Sequence, residues 1–174
     1  LLQRLLHVAL DTSGSPLSAK RIADYLKSQN IRCSVDTILE YLAFFVDARV
    51  VSRISRHDLR GKKVLEVHEK YYAADHGLRN AILGHRAQDI GIQLETIVCN
   101  HLLATGHNVE VGRWDAYEVD FVATKEGLRT DIQVAYLLVD EKTLEREIRP
   151  LRAIGDNYPR LLLSMDTHFR EDHE

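Results

Sequence analysis

Tyr117-Glu118-Val119-Asp120-Phe121-Val122-Ala123 is the stretch whose reading decides the fold. Its residues alternate, with Tyr117, Val119, Phe121 and Ala123 on one parity and Glu118, Asp120 and Val122 on the other. That period predicts a strand with two unlike faces. Lys125-Glu126-Gly127-Leu128 reads as a turn into a second run, Thr130-Asp131-Ile132-Gln133-Val134-Ala135-Tyr136. With Glu126-Gly127 as a two-residue hairpin loop, Asp120 faces Gln133 and Glu118 faces Ala135. Two acidic groups and an amide then share one patch.

Upstream, residues 87–104 read as a helix carrying Glu95. Its helical neighbours Gly91, Ile92, Val98, Cys99 and Leu102 are all uncharged, so Glu95 is expected to lean inward. A partly buried carboxylate needs a proton, a cation or a hydrogen-bond network. Downstream, residues 141–154 carry an apolar stripe of Leu144, Ile148, Leu151 and Ile154, with Glu145 and Arg149 spaced as an ion pair. Residues 161–165 predict a short strand internal to the sheet. A helix bearing Glu, a strand bearing Asp, and a next strand bearing an acid or amide two residues before a lysine resembles the PD-(D/E)XK nuclease fold. The resemblance implies Glu95, Asp120 and Gln133 as the catalytic set, with Glu95 and Asp120 holding a weakly bound Mg²⁺. Ala135 stands where that fold carries its lysine. The resemblance therefore implies weakened hydrolysis unless Lys125 or Arg146 replaces the missing cation.

The front of the chain has a different pattern. Ser13-Gly14-Ser15-Pro16 breaks a first helix, and Ile22, Ala23 and Leu26 form the buried stripe of a second. Ser34 is placed to cap a third, with Val35, Ile38, Leu39, Leu42 and Phe45 along one side. Strand-like runs at 50–54 and 63–67 follow. Helix, helix, helix and hairpin is the order of a winged helix-turn-helix. Arg53, Arg56, Arg60, Lys62 and Lys63 fall within eleven residues of the hairpin. Such a wing suits a phosphate backbone, since each cation releases counterions there; equally, it suits a solvated strand edge. The third helix offers Asp36, Thr37, Glu40 and Tyr41 outward, and carboxylates repel phosphates. Gly61-Lys62 has Arg56 where a P-loop needs its first glycine, and Lys63 where it needs Ser or Thr.

Residues 1–84 hold thirteen Lys and Arg against nine Asp and Glu, a net +4, and residues 85–174 hold ten against seventeen, a net −7. The split suggests two modules with different partners. Two cysteines, Cys33 and Cys99, make no disulfide framework, and the nine histidines show no zinc-ligand spacing. Nothing approaches the apolar length of a membrane span. A cytoplasmic protein is the expectation. Leu1 and the single Met165 suggest a fragment of a longer chain.

Longer strings sharpen this picture: residues 69–80, Glu118-Val119-Asp120-Phe121, Ile132-Gln133-Val134-Ala135-Tyr136, Glu145-Arg146-Glu147 and Asp156-Asn157-Tyr158-Pro159. Together they resemble the C-terminal region of a prokaryotic family of AAA-type P-loop ATPases. The resemblance implies an α+β chain of two domains. Residues 1–84 form a winged helix-turn-helix, and 85–174 an αβββαβ restriction-endonuclease-like domain. It implies ATP bound only in an N-terminal domain beyond this sequence, which becomes a partner of this region. It also implies that Gln133 and the absent lysine are the family's usual state. The expected function is an accessory, DNA-contacting region with a degenerate nuclease-like domain. The alternatives are a protein-interaction or homo-oligomerisation module and a metal-dependent nuclease with a displaced lysine.

Overall fold

The computed structural model describes residues 1–61 and 63–167, with the backbone alone for 63–68. The chain is α+β. Three helices open it: α1 (Leu2–Asp11), α2 (Ala19–Ser28) and α3 (Val35–Asp47). The side chains of Ser18 and Ser34 accept the Arg21 and Thr37 N–H groups, capping α2 and α3. Leu5, Leu10, Ile22, Leu26, Ile38, Leu42 and Phe45 close a core over Val51 and Tyr71 of the following hairpin. Val35 and Leu39, expected on that buried side, are exposed instead. The other i, i+4 row of α3 already fills the space against α1 and α2.

The hairpin β1 (Val51–Asp58) and β2 (Lys63–Ala73) leads through α4 (His76–Leu83) to α5 (Ile90–Ala104). Then come β3 (Asn108–Trp114), β4 (Tyr117–Lys125), β5 (Leu128–Val134), α6 (Glu141–Ala153) and β6 (Arg160–Leu163). The six strands among the described residues make one mixed sheet in the order β2-β1-β3-β4-β5-β6. The hairpin is not a free wing. Arg56–Asp58 of β1 pair in parallel with Val111–Arg113 of β3, so the sheet runs unbroken across position 84. Arg79 of α4, almost wholly buried, adds a second tie: it donates to the Leu10 carbonyl at 3.1 Å and to Asp89 at 2.8 Å.

β4 and β5 meet one-to-one from Phe121↔Ile132 to Lys125↔Leu128. Glu126 and Gly127 form the two-residue loop, both at positive φ as a type I′ turn requires. The other side of β4 is irregular. Glu110 stands opposite Val122 but Gly112 opposite Val119, so Asp120 and Phe121 share one partner, Val111. This bulge resets the alternation. Val119 and Val122 pack with Leu151 and Ile154 under α6, while Phe121 and Ala123 pack with Cys99 and Leu102 under α5. The grouping of Val119 with Phe121 and of Asp120 with Val122 is thus corrected. Gly112 permits the bulge, since a Cβ there would sit 2.7 Å from Val122 Cγ2.

Two smaller expectations also change. Among the described residues β6 is an edge strand bonded only to β5, not an internal one. Glu145 pairs with Arg152 at 2.8 Å rather than with Arg149, two helical turns away on the same side.

Candidate functional site

A cavity of about 580 Å³ opens at the end of the sheet, lined among others by Glu95, Asp120, Gln133, Ala135, Arg146 and Glu147. α5 brings Glu95 to one wall, the β4 bulge brings Asp120, β5 brings Gln133, and α6 brings Glu147. Glu95 and Asp120 thus lie on the same side of the sheet, as the bulge requires. The Val134 N–H donates to Asp120 Oδ2 at 2.9 Å, and the Asp120 N–H reaches Gln133 Oε1 at 3.4 Å. Gln133 Nε2 donates in turn to Glu147 Oε2 at 3.4 Å.

Behind the cavity wall lies a cation that sequence reasoning missed. Lys70 of β2, 4% exposed, places its ammonium 2.9 Å from Glu118 Oε1 and 3.5 Å from Glu95 Oε1. Tyr72, two residues on and on the same face, donates its hydroxyl to that Glu95 oxygen at 2.6 Å. Arg56 Nη2 holds the other Glu118 oxygen at 2.7 Å. Glu95 also presses on the turn after α1, where a Cβ on Gly14 would sit 3.3 Å from Oε2. The signal was present in Glu69-Lys70-Tyr71-Tyr72-Ala73, a charged residue at strand parity with a buried tyrosine.

The electrostatics follow from this packing. Burial pushes the Asp120 carboxyl up to about 7, helped by the Glu95 charge and opposed by the Val134 N–H and Lys70. Burial alone would lower Lys70, but the charges of Glu95 and Glu118 outweigh it and hold the ammonium above its ordinary value. Burial alone would raise Glu118, yet Lys70 and Arg56 hold it below the usual carboxylate range. The Cys99 thiol, buried close by, is pushed up to about 12 by burial and by Glu95, which makes it a poor nucleophile.

These residues do not fit a Mg²⁺ site. One Glu95 oxygen already receives an ammonium and a phenol, and one Asp120 oxygen a backbone N–H. Among the described residues no group of three or more His, Cys, Asp or Glu is placed to hold a metal ion. Neither expected substitute supplies a free cation to the cluster. Lys125 donates to the Thr105 carbonyl at 2.8 Å, and Arg146, though it lines the cavity, pairs with Glu147 at 2.7 Å.

The basic hairpin is rearranged too. Arg56 points into the cluster just described. Arg60 pairs with Asp115 at 2.8 Å, and Arg53 lies 3.8 Å from Glu69. Lys62 and the side chain of Lys63 lie outside the described residues.

The family described as "Domain of unknown function (DUF8612)" matches residues 1–89, just over half of the chain, and the chain belongs to it. An uncharacterized protein of Haemophilus influenzae is 32% identical over 164 residues, covering 94% of this chain and 40% of that protein. Uncharacterized protein MJ1544 of Methanocaldococcus jannaschii is 31% identical over 157 residues, covering 87% of this chain and 34% of that protein. The chain thus spans less than half the length of these curated relatives. No solved structure matches it. No helix among the described residues is long and apolar enough to cross a membrane.

Proposed function

We propose that this chain is the C-terminal accessory region of a cytoplasmic prokaryotic AAA-type ATPase. In this reading a winged helix is fused to a nuclease-like domain that keeps the fold without the hydrolysis, and the region works by protein contact. The outer face of α3 carries the proposal. Exposed Asp36, Glu40 and Asp47 run along its middle, with exposed Val35 and Leu39 on one flank and Phe44, 60% exposed, on the other, and the helix has no Lys or Arg. A helix entering a DNA groove passes between two phosphate walls, where carboxylates are repelled. An acidic stripe flanked by exposed apolar side chains suits a protein surface instead. The greater length of both relatives supports a further part of the polypeptide as the partner.

The DNA-contacting reading keeps one foothold, because exposed ion pairs such as Arg60–Asp115 are weak enough for a phosphate to displace. One experiment separates the two. The N-terminal ATPase part of a full-length homologue is titrated against this chain, and duplex and single-stranded DNA are titrated across a salt series. We expect the chain to bind the ATPase part and the Phe44→Glu variant to lose that binding. DNA affinity that falls steeply with salt, with a slope flattened by about 0.9 per contact in Arg53→Ala and Arg60→Ala, would return the function to nucleic acid.

A further inference from the structure

We infer that Lys70 is the cleft's own cation. Its ammonium lies behind the cleft wall between Glu95 and Glu118, supplies the positive charge that a divalent metal would otherwise bring to these carboxylates, and makes the site metal-independent. The inference deepens the reading of this domain as nuclease-like and rests on it.

Position argues for it first. The ammonium bridges Glu95 from α5 and Glu118 from β4, the elements that meet at the cleft, at 3.5 and 2.9 Å. Charge balance argues for it next. Lys70 and Arg56 supply two positive charges against the two negative charges of Glu95 and Glu118. The third carboxyl, Asp120, accepts the Val134 N–H with one oxygen. A dication added here would find one Glu95 oxygen already shared by an ammonium and a phenol, and in a buried site the repulsion between the two cations is poorly screened. The lysine cannot easily withdraw. Its backbone pairs with Ile54 on one side and bridges to Pro16 on the other, and the neighbouring Glu69 carbonyl accepts the Leu17 N–H at 3.0 Å. The residues on which this rests come from both halves of the chain, so the cation is in place only once the hairpin has joined the sheet.

The test is a Mn²⁺ titration of this chain, with free Mn²⁺ followed by its electron paramagnetic resonance. It reads cation occupancy and not cleavage, so it can fail independently of a hydrolysis assay on plasmid DNA. We expect the unaltered chain and K70R to leave the Mn²⁺ signal unchanged. K70Q should gain one site, at least about tenfold tighter than the unaltered chain, and K70Q/E118Q should lose it again. If K70Q is unfolded in chelator by circular dichroism, Mn²⁺ should restore its folded spectrum. Unaltered chain that binds Mn²⁺ as tightly as K70Q overturns the inference. So does folded K70Q that gains no site, or unfolded K70Q that Mn²⁺ fails to restore.

Discussion

Asp120 is the residue at which stability and acidity meet. Its carboxyl sits near 7 when folded against an ordinary value of 3.8, so the fold grips the proton more tightly than the unfolded chain does. The stability associated with that proton is fully present below the unfolded value and is lost as pH rises through the folded one. Ionised Asp120 is therefore a cost to the fold at neutral pH, of about 1–3 kcal/mol once relaxation of its neighbours is allowed for. Asp120→Asn keeps an oxygen for the Val134 N–H and removes the titration. We expect the variant's melting advantage over the parent to be several degrees at about pH 8 and to shrink steadily as pH falls to about 4, close to the unfolded value. Differential scanning calorimetry across that range checks it, and equal shifts at both ends would refute the assignment of the proton to Asp120.

At the scale of elements, the β1–β2 hairpin is a structural member whose arginines have unequal worth. Arg56 has a side chain 13% exposed and holds a carboxylate that Lys70 also holds, while the Arg60 side chain is 68% exposed. Removing the first leaves Glu118 half-compensated in a half-buried site, whereas removing the second breaks a screened surface pair. We expect Arg56→Ala to cost about 2–3 kcal/mol and Arg60→Ala under about 0.5 kcal/mol. Urea denaturation gives both numbers as midpoint shifts at constant m. Elements built from short-range rules were legible beforehand: the cap at Ser34, and the Glu126-Gly127 turn that sets the β4–β5 register. The β4 bulge was not, because its cause is the strand on the other side. Gly112 lies eight residues before Asp120 and has no meaning for it until β3 and β4 are paired.

For the molecule as a whole, the basic front and acidic back meet each other. Arg56 and Lys70 hold Glu118, Lys70 holds Glu95, Arg60 holds Asp115 and Arg79 holds Asp89, all across position 84. The charge asymmetry that suggested two partners is largely satisfied within the chain. Together with the parallel β1–β3 pairing, it makes the two halves interdependent. We expect the chain to unfold in one transition, with Trp114 fluorescence and far-ultraviolet circular dichroism coincident. Neither 1–84 nor 85–174 alone should show a cooperative transition in urea. Two separate transitions, or a cooperatively folded 1–84, would mean that the hairpin closes its core without β3. What the sequence determined by itself was the local grammar: helix stripes, a helix cap, one hairpin register, and Glu95, Asp120 and Gln133 as residues of interest. Periodicity and turn chemistry act over a few residues, so they can be read along the chain. The tertiary structure decided that β1 joins β3 across more than fifty residues, that Arg56 turns inward, and that Lys70 is the cation among the carboxylates. Those outcomes depend on which surfaces bury each other and which charges then lose their water, and no short stretch of sequence carries that information.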